Sequence, residues 1–499
     1  MTMTSGSHIR SWTVNKFLHH FLLVTSCVLL GGCASYSGIS PELKQLAISQ
    51  VTEQIPSTAW PKDNWWVDQH DPVLSALIER ALQDSPNLQA ASARLIRVRA
   101  ISGQAESALW PQVSIDATIT RERFTENGLI PPPYAGTAQD MNDLQLGGQW
   151  EIDFFGRNRE NLKAALGELR ASEAENHAIR VMLASNVARG YYNLARLLTQ
   201  RELATQRQQI RLDLAGLVER RYTAGLDTQV ELEAAHGVVP ENARDIAALD
   251  EQISIVRHAL AVLTGQEPVA LDTLTPALPA IAAQALPNAF PADLLGHRAD
   301  VVAARWRVES ATHDRESTKA LFYPNIDLRA FTGFSSIGLN QWLDAGSRQP
   351  GFGLAVSLPV FDAGRLRNQF RISTANVDAA VAAYNSTLLD ALRDVADQLS
   401  SLQATELQLA KQNAALDSAR HSHELALQRY RAGITDRLTV LNVETALIAQ
   451  RRTAIDLQGR WIDARIRLIQ ALGGGFDDTT AANNQTSITP NNSDTHHGY

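Results

Sequence analysis

Few side chains in this sequence are spaced for covalent chemistry or metal binding. His421 and His423 lie two residues apart, so they would point to different faces of a helix, and no His-Glu-x-x-His run occurs. The three glycines at 473–475 end a helical pattern and lack the lysine that a phosphate-binding loop requires. We therefore predict no enzyme, no cofactor and no metal site. The clearest candidate for chemistry is a single cysteine, Cys33.

Cys33 follows a short apolar run at 17–30 that begins after two basic residues. The run is too short for a convincing membrane-spanning helix and is typical of a signal peptide. The small residues before Cys33 resemble a bacterial lipobox, which implies a signal peptide at 1–32 and acylation of Cys33. Ala34, rather than an aspartate, is what this resemblance associates with the outer membrane. An ordinary secretory signal with an incidental cysteine is the alternative.

Composition excludes some classes of protein. The 499 residues carry 45 basic and 53 acidic side chains, a net charge of −8 without a basic block, which argues against nucleic-acid binding. An aromatic content of 6% is thin for a compact enzyme core and normal for long helical pairs. Removal of the leader leaves one cysteine of two, so no intrachain disulfide is expected.

One stretch of the sequence occurs twice. Residues 221–227 (RYTAGLD) return as 429–435 (RYRAGIT), and each copy lies between two long helical patterns. A glycine there lets the backbone take the left-handed turn that ends a helix. The same 208-residue separation relates Gly156 to Gly364 and Gly265 to Gly473. The sequence therefore predicts an internal duplication.

Each copy also contains an alternating pattern. Apolar and polar residues alternate at 113–120 and 144–154, and again at 326–330 and 352–360. This period of two predicts a β-hairpin in each copy, at about 112–155 and about 325–362. Strands of about ten residues match what a tilted strand needs to cross a bilayer. Four such strands leave unpaired edges that lipid cannot satisfy, so several chains must contribute to one closed barrel.

Long helices follow each hairpin. From Gly156 to Tyr222 there is no proline, which predicts roughly 65 residues or about 100 Å of helix. The returning helices carry apolar residues every seven positions, the pattern of a left-handed coiled coil. These are Val239, Ile246, Ile253 and Leu260 in the first copy and Leu441, Ile448, Ile455, Ile462 and Ile469 in the second.

These patterns divide the chain into consecutive parts. Asp71 is expected to cap a first helix that begins at Pro72. The predicted order is a lipidated extended segment at 33–70, repeat 1 at 71–265 with a helix pair at about 157–265, a proline-rich linker at 266–291, repeat 2 at 292–475 with a helix pair at about 365–473, and a disordered tail at 476–499.

Several motifs together resemble the TolC-type outer membrane efflux family, and within it the NodT-like lipoprotein branch. They are the lipobox, Trp65-Trp66 followed by Asp71-Pro72, and the stretches 320–328 (ALFYPNIDL), 358–366 (LPVFDAGRL) and 471–475 (ALGGG). The resemblance covers about residues 30–475. It implies an α+β membrane protein: a homotrimer whose twelve strands form one outer-membrane β-barrel, continued by a periplasmic coiled-coil tunnel of helices.

The resemblance also implies partners and a function. The chain would be lipid-anchored in the outer membrane, extend into the periplasm, and work with a periplasmic adaptor and an inner-membrane pump. It would be an exit duct that passively conducts small toxic compounds or drugs. A duct for polypeptides or metal ions shares the fold and stays open as an alternative. A purely structural coiled-coil lipoprotein is less favoured, because a periplasmic rod has no use for apolar hairpin faces directed outward.

For a duct, the candidate site is the pair of repeated turns. The resemblance implies that these turns form the periplasmic tip. In the family, the helix after the second turn carries acids that narrow the pore, whereas the aligned residues here, Thr439 and Asn442, are uncharged. Nearby acids are further pore-gate candidates, with helix starts as the alternative role because acids suit the dipole there. These acids are Asp227, Glu231, Glu233 and Asp436.

The turns themselves are the candidate surface for docking the adaptor. The candidate residues are Arg221, Tyr222 and Gly225 in the first turn and Arg429, Tyr430 and Gly433 in the second. Arg221 and Arg429 either hold a closed tip by ion pairs or complement the negative ends of their helices. The second role is favoured, because exposed ion pairs contribute little free energy.

Overall fold

A computed structural model describes residues 35–46, 61–280 and 297–476. Cys33, the predicted signal peptide and almost all of the predicted tail lie outside these residues. The chain divides into two compact units, each made of three stretches of sequence. Unit 1 comprises Met1–Gln45, Ile96–Arg170 and Arg305–Ala383, and unit 2 comprises Leu46–Leu95, Ala171–Ala304 and Tyr384–Tyr499.

Unit 1 contains an antiparallel sheet of four strands in the order β1-β2-β3-β4. The strands are β1 (Gln112–Arg123), β2 (Ala138–Glu151), β3 (Asn325–Ile337) and β4 (Gly351–Ser357). The two predicted hairpins are thus joined edge to edge, because β2 pairs with β3 from Met141↔Ile337 to Glu151↔Asp327. Within the described part of the chain, this leaves the outer edges of β1 and β4 without a partner strand.

The register of the strands collects apolar residues on one face of the sheet. Ile115 lies opposite Leu146, and Leu328 lies opposite both Trp150 and Leu354. All twelve residues of β1 are exposed, and Phe352 in β4 is 90% exposed. An apolar sheet face that is open in the isolated chain requires either lipid or another protein surface.

The fourth strand is shorter than the sequence pattern suggests. The alternation extends to Leu358 and Val360, but β4 ends at Ser357. Pro359, two residues beyond Ser357, lacks the N–H group that a strand ladder needs. The extension of this strand to Val360 was therefore wrong, although the apolar residues Phe352, Leu354 and Val356 do lie in it.

The α-helices of the two repeats match in length. They are α1 (Pro72–Asp84), α2 (Pro86–Ser107), α3 (Arg157–Thr223), α4 (Gln229–Leu263), α5 (Ala299–Ala320), α6 (Arg365–Arg431) and α7 (Arg437–Ala471). Helices α3 and α6 have 67 residues each, and α4 and α7 have 35 residues each. Every bound of α6 and α7 lies 208 residues after its counterpart in α3 and α4, which confirms the duplication.

In unit 2, contacts between side chains give the helix order α4-α3-α7-α6. Arg207 of α3 pairs with Asp245 of α4 at 3.3 Å. On its other side α3 meets α7, where Arg189 and Arg196 pair with Asp463 and Asp456. The Gln412 amide of α6 donates to Gln450 of α7 at 2.8 Å. The heptad residues Leu441, Ile448 and Ile462 are buried, as the sevenfold spacing predicts.

The start of α1 is as predicted. The carboxylate of Asp71 accepts hydrogen bonds from the backbone N–H groups of Val73 and Leu74, both at 3.0 Å, and Pro72 is the first helical residue. Trp65 and Trp66 are buried in the core of unit 2. Part of the proline-rich linker also packs there, because Leu271, Leu274 and Leu278 contact this core. None of the described helices is both long enough and apolar enough to cross a membrane.

Candidate functional site

The two repeated turns have the same backbone. The Gly225 N–H donates to the Tyr222 carbonyl at 2.9 Å and the Leu226 N–H to the Arg221 carbonyl at 2.8 Å. The second turn repeats both bonds at the same lengths, from Gly433 and Ile434. This is a Schellman motif, which satisfies the last carbonyls of a helix.

Both glycines are needed for backbone conformation and not for space. Their φ angles are +72° and +74°, in the left-handed region that other residues adopt at a cost. A methyl group on either glycine would meet no atom within 4 Å, so only the backbone opposes substitution. The turns therefore leave room around Gly225 and Gly433, which is compatible with contact by another protein.

The first turn holds an ion pair of its own. The Arg221 guanidinium donates two hydrogen bonds to the Asp227 carboxylate, both at 2.9 Å. This pair lowers the pKa of Asp227 and raises the pKa of Arg221. The second turn has Thr435 at the equivalent position, and Arg429 forms no ion pair within the described part of the chain. Of the two roles considered for these arginines, Arg221 takes the ion pair, but inside its own turn.

The helix after each turn begins with a different cap. In α4 the Thr228 side chain accepts from the Val230 N–H, and Glu231 accepts from the Thr228 N–H at 2.8 Å. In α7 the Asp436 carboxylate accepts from the N–H and hydroxyl of Thr439, at 2.9 and 2.7 Å. Each helix start thus has one capping carboxylate, at the third helical position in α4 and at the N-cap in α7.

This exchange gives a physical reason for the uncharged Thr439. Residues 228 and 231 correspond to residues 436 and 439, so the acid and the threonine have changed places between the copies. The hydrogen bonds to Thr439 and Thr228 lower the pKa values of Asp436 and Glu231, respectively. Both interactions are therefore complete at neutral pH and are lost only as the pH falls below about 4.

In one chain, Arg221 of the first turn and Asp436 at the start of α7 are close enough for their charges to interact. The charge of Asp436 adds to that of Asp227 in raising the pKa of Arg221, so the guanidinium lies near the start of α7 as well. Thr439 and Asn442 are exposed and three residues apart on α7, which makes them neighbours on the helix surface. The turns also carry exposed apolar or aromatic side chains, which are Tyr222, Leu226, Tyr430 and Ile434.

A second candidate region lies in unit 1, where the strands end. A cavity of about 390 Å³ is lined by charged residues that include Glu151, Arg157, Asp327 and Arg329. Arg157 pairs with Glu151 at the wall of this cavity. No sequence motif marks these residues as a site. The polar members of each alternating strand were the signal that could have found them.

Unit 2 holds a larger groove, which no sequence motif marks either. It has a volume of about 720 Å³ and lies between α3, α4 and α7, with the Arg189–Asp463 and Arg196–Asp456 pairs in its wall. No cluster of three or more metal-binding side chains occurs among the residues described. The lining of this groove combines these paired charges with apolar side chains such as Leu260 and Ile462.

Comparison with known proteins agrees with this geometry. The family model described as "Outer membrane efflux protein" matches residues 77–266 and 290–474. The multidrug resistance outer membrane protein MdtQ of Escherichia coli O6:H1 is 31% identical over 464 residues, which cover 90% of this chain and 96% of that protein. MdtP of Escherichia coli K12 is 29% identical over 484 residues, with 93% and 98% covered.

Solved structures show the same fold. The outer membrane protein VceC from Vibrio cholerae superposes with a TM-score of 0.77 at 35% identity, covering 84% of this chain and all (100%) of that one. The CmeC outer membrane channel of Campylobacter jejuni gives a TM-score of 0.80 at 20% identity, covering 90% and 98%. At that lower identity the likeness concerns the fold alone.

Proposed function

Because the chain belongs to the outer membrane efflux protein family, we propose that it is the exit duct of a tripartite efflux system. The family is one of outer membrane efflux channels and not of enzymes, and the chain has their fold. The observation that carries the proposal is the four-stranded sheet, which has one apolar face and, among the described strands, two unpaired edges. Such a sheet is incomplete in one chain and becomes a closed barrel only in an assembly.

The assembly we propose is a homotrimer in the outer membrane, in contact with its lipids. Each backbone N–H or C=O group left unpaired in hydrocarbon costs several kcal/mol, so the edges of β1 and β4 must pair with other copies. Three copies give twelve strands, the number implied by the family resemblance. The apolar faces of β1 and β4 then meet lipid, which accounts for the exposure of Ile115 and Phe352.

The repeated turns are the proposed contact with a periplasmic adaptor, which would connect the duct to an inner-membrane pump. The six docking candidates lie in two turns of matching backbone, and Tyr222 and Tyr430 are exposed in both. Neighbouring exposed apolar side chains, Leu226 and Ile434, would add contact area. Two similar sites per chain would present a ring of six sites in a trimer.

The pore-gate proposal concerns the same end of the helices. Asp227, Glu231 and Asp436 are all ionised at neutral pH, since their pKa values are lowered by the bonds described above. In a trimer they would give the tip a negative ring in place of acids at Thr439 and Asn442. This ring would attract cations to the entrance. The positive charge of Arg221, which pairs with Asp227 in the first turn, would reduce the net negative charge of the ring.

The proposed cargo is small toxic compounds, including drugs, conducted passively. The support is the description of the relatives MdtQ and MdtP as multidrug resistance proteins. Deleting the gene in its native host should raise the accumulation of fluorescent dyes and antibiotics, and the wild-type gene on a plasmid should restore export. Unchanged accumulation across such a panel, with loss of a secreted polypeptide or of metal tolerance, would favour the alternative cargoes.

The lipid anchor on Cys33 is a further part of this proposal. Replacing the cysteine in Cys33→Ser should abolish labelling by a radioactive fatty acid, because serine offers no thiol for acylation. Labelling is followed by immunoprecipitation and autoradiography, with wild-type protein in parallel and Cys27→Ser as a matched control. Label retained by Cys33→Ser would remove the lipoprotein assignment and would leave the efflux proposal standing.

A further inference from the structure

The helix order in unit 2 leaves one helix face open at each side. In α4-α3-α7-α6, ion pairs join the inner helices α3 and α7, whereas the side-chain contacts described above join α4 to α3 and α6 to α7. The duplication makes α6 the equivalent of α3 and α4 the equivalent of α7. The two outer helices are thus the same kind of helices as the pair that already forms a contact.

The inner contact has a simple register. Arg189 pairs with Asp463 at 2.6 Å, and seven residues further Arg196 pairs with Asp456 at 2.9 Å, so the helices run antiparallel with one heptad per step. Further along the same pair of helices the contact is apolar. Leu203 and Ile210 of α3 form a cluster there with Leu441 and Ile448 of α7.

We propose that the same register is used between chains, where α6 of one copy packs against α4 of the next copy and Lys411 pairs with Glu241 of the partner subunit. This proposal rests on the proposed function, which requires several copies. The 208-residue repeat gives each position of α3 an equivalent in α6, 208 residues later, and each position of α7 an equivalent in α4, 208 residues earlier. The pair 189 and 463 thus becomes 397 and 255, and the pair 196 and 456 becomes 404 and 248. One further heptad brings position 411 opposite position 241.

The transferred register puts opposite charges together. Positions 255 and 248 are Ile and Ala, so neither offers a charge to the helix opposite, and the first charge pair arises at Lys411 and Glu241. Both residues are exposed in the chain. The charges of α4 and α6 are complementary over a longer stretch. Residues 229–251 of α4 carry six acids and one arginine, whereas residues 411–431 of α6 carry four lysines or arginines and two acids.

Exposed apolar side chains mark the same two faces. Val262 of α4 is exposed and three heptads from Glu241, in line with it, whereas Ile255 on the same line borders the groove beside α3 and α7. Leu407 and Leu425 of α6 are exposed and eighteen residues apart, which is about five helical turns and therefore one face. The α3 equivalent of Leu425 is Leu217, and it packs against the α3–α7 cluster. Leu425 therefore corresponds to a residue that packs in the α3–α7 contact, but is itself exposed.

Thiol cross-linking between chains tests this register. Lys411→Cys and Glu241→Cys are combined in one chain, which is purified in detergent and treated with a short thiol-reactive cross-linker. We expect bands at two and three times the chain mass on a denaturing gel, because the two thiols lie in different subunits. The pair Gln412→Cys and Gln450→Cys, whose amides are 2.8 Å apart within the chain, should link without a change of mass.

Two controls decide the outcome. Lys411→Cys with Ile255→Cys shifts the second thiol by two heptads, about 21 Å, and should not cross-link. Each single cysteine variant reports background linking through any native thiol. Multimer bands that are absent, or equally strong with the shifted pair, overturn the register. Light scattering on the same samples separates the cases: a trimer without the cross-link refutes the register alone, and a monomer also refutes the proposed assembly.

Discussion

Replacing Ala117 by arginine is expected to prevent stable assembly of the protein in the outer membrane. Ala117 lies in the middle of β1, opposite Leu144, on the apolar face of the sheet. An arginine facing lipid near the middle of a bilayer destabilises a transmembrane barrel by about 2–4 kcal/mol. A trimer would bear three such arginines, which together rival the stability of a typical folded protein.

The adjacent residue provides the matched control. Thr118 is in the same strand and lies on the opposite, polar face, across from Asp143. An arginine introduced there would face water and a carboxylate, so Thr118→Arg should assemble normally. Outer-membrane protein levels and heat-resistant trimer on gels measure the difference. Equal tolerance of both substitutions would show that the apolar face does not meet lipid.

Two replacements of Asp436 are expected to separate the effect of its negative charge on conduction from the effect of its hydrogen bond at the start of α7. Asp436→Asn keeps an oxygen that accepts from the Thr439 N–H but removes the negative charge. In planar bilayers this variant should weaken block by divalent cations and leave single-channel conductance nearly unchanged. Asp436→Ala also loses the cap, which costs about 0.5–2 kcal/mol, so it should raise conductance as well.

Asp417→Asn is the control for loss of a carboxylate elsewhere. Asp417 is exposed on α6, pairs with Arg420, and lies fourteen residues before the end of that helix, about 21 Å along its axis. It should change neither conductance nor cation block. If neither Asp436 variant differs from the wild type, Asp436 has only its observed role at the start of α7 and is not part of a gate.

Local features of the fold were predictable because their causes are local. A left-handed glycine ends a helix through bonds that span six residues, so the repeated RY-x-AG motif was sufficient to place both turns. The cap at Asp71 and the bounds set by Gly156 and Gly364 depend on neighbouring residues in the same way. The 208-residue repeat then predicted equal helices in both copies, and the structure confirms them.

Pairings between distant residues were beyond the sequence. Alternation predicted strands in each copy but carried no information on whether β2 would pair with β3, since a strand edge accepts any partner of suitable register. The helix order in unit 2 was equally hidden. It depends on side chains such as Arg189 and Asp463, which are 274 residues apart in the chain.

At the turns, the sequence determined the backbone, and the tertiary structure decided that Arg221 of the first turn lies close to Asp436 of the second. Glycine and the helix patterns specified two matching Schellman motifs, because only local bonds are involved. The hydrogen-bond partners of Asp227 and Asp436 are local, six and three residues away in the chain, and a role for either carboxylate in a pore stays a prediction. The structure gives Asp227 to Arg221 and Asp436 to Thr439, so the same residue type has different partners in the two copies.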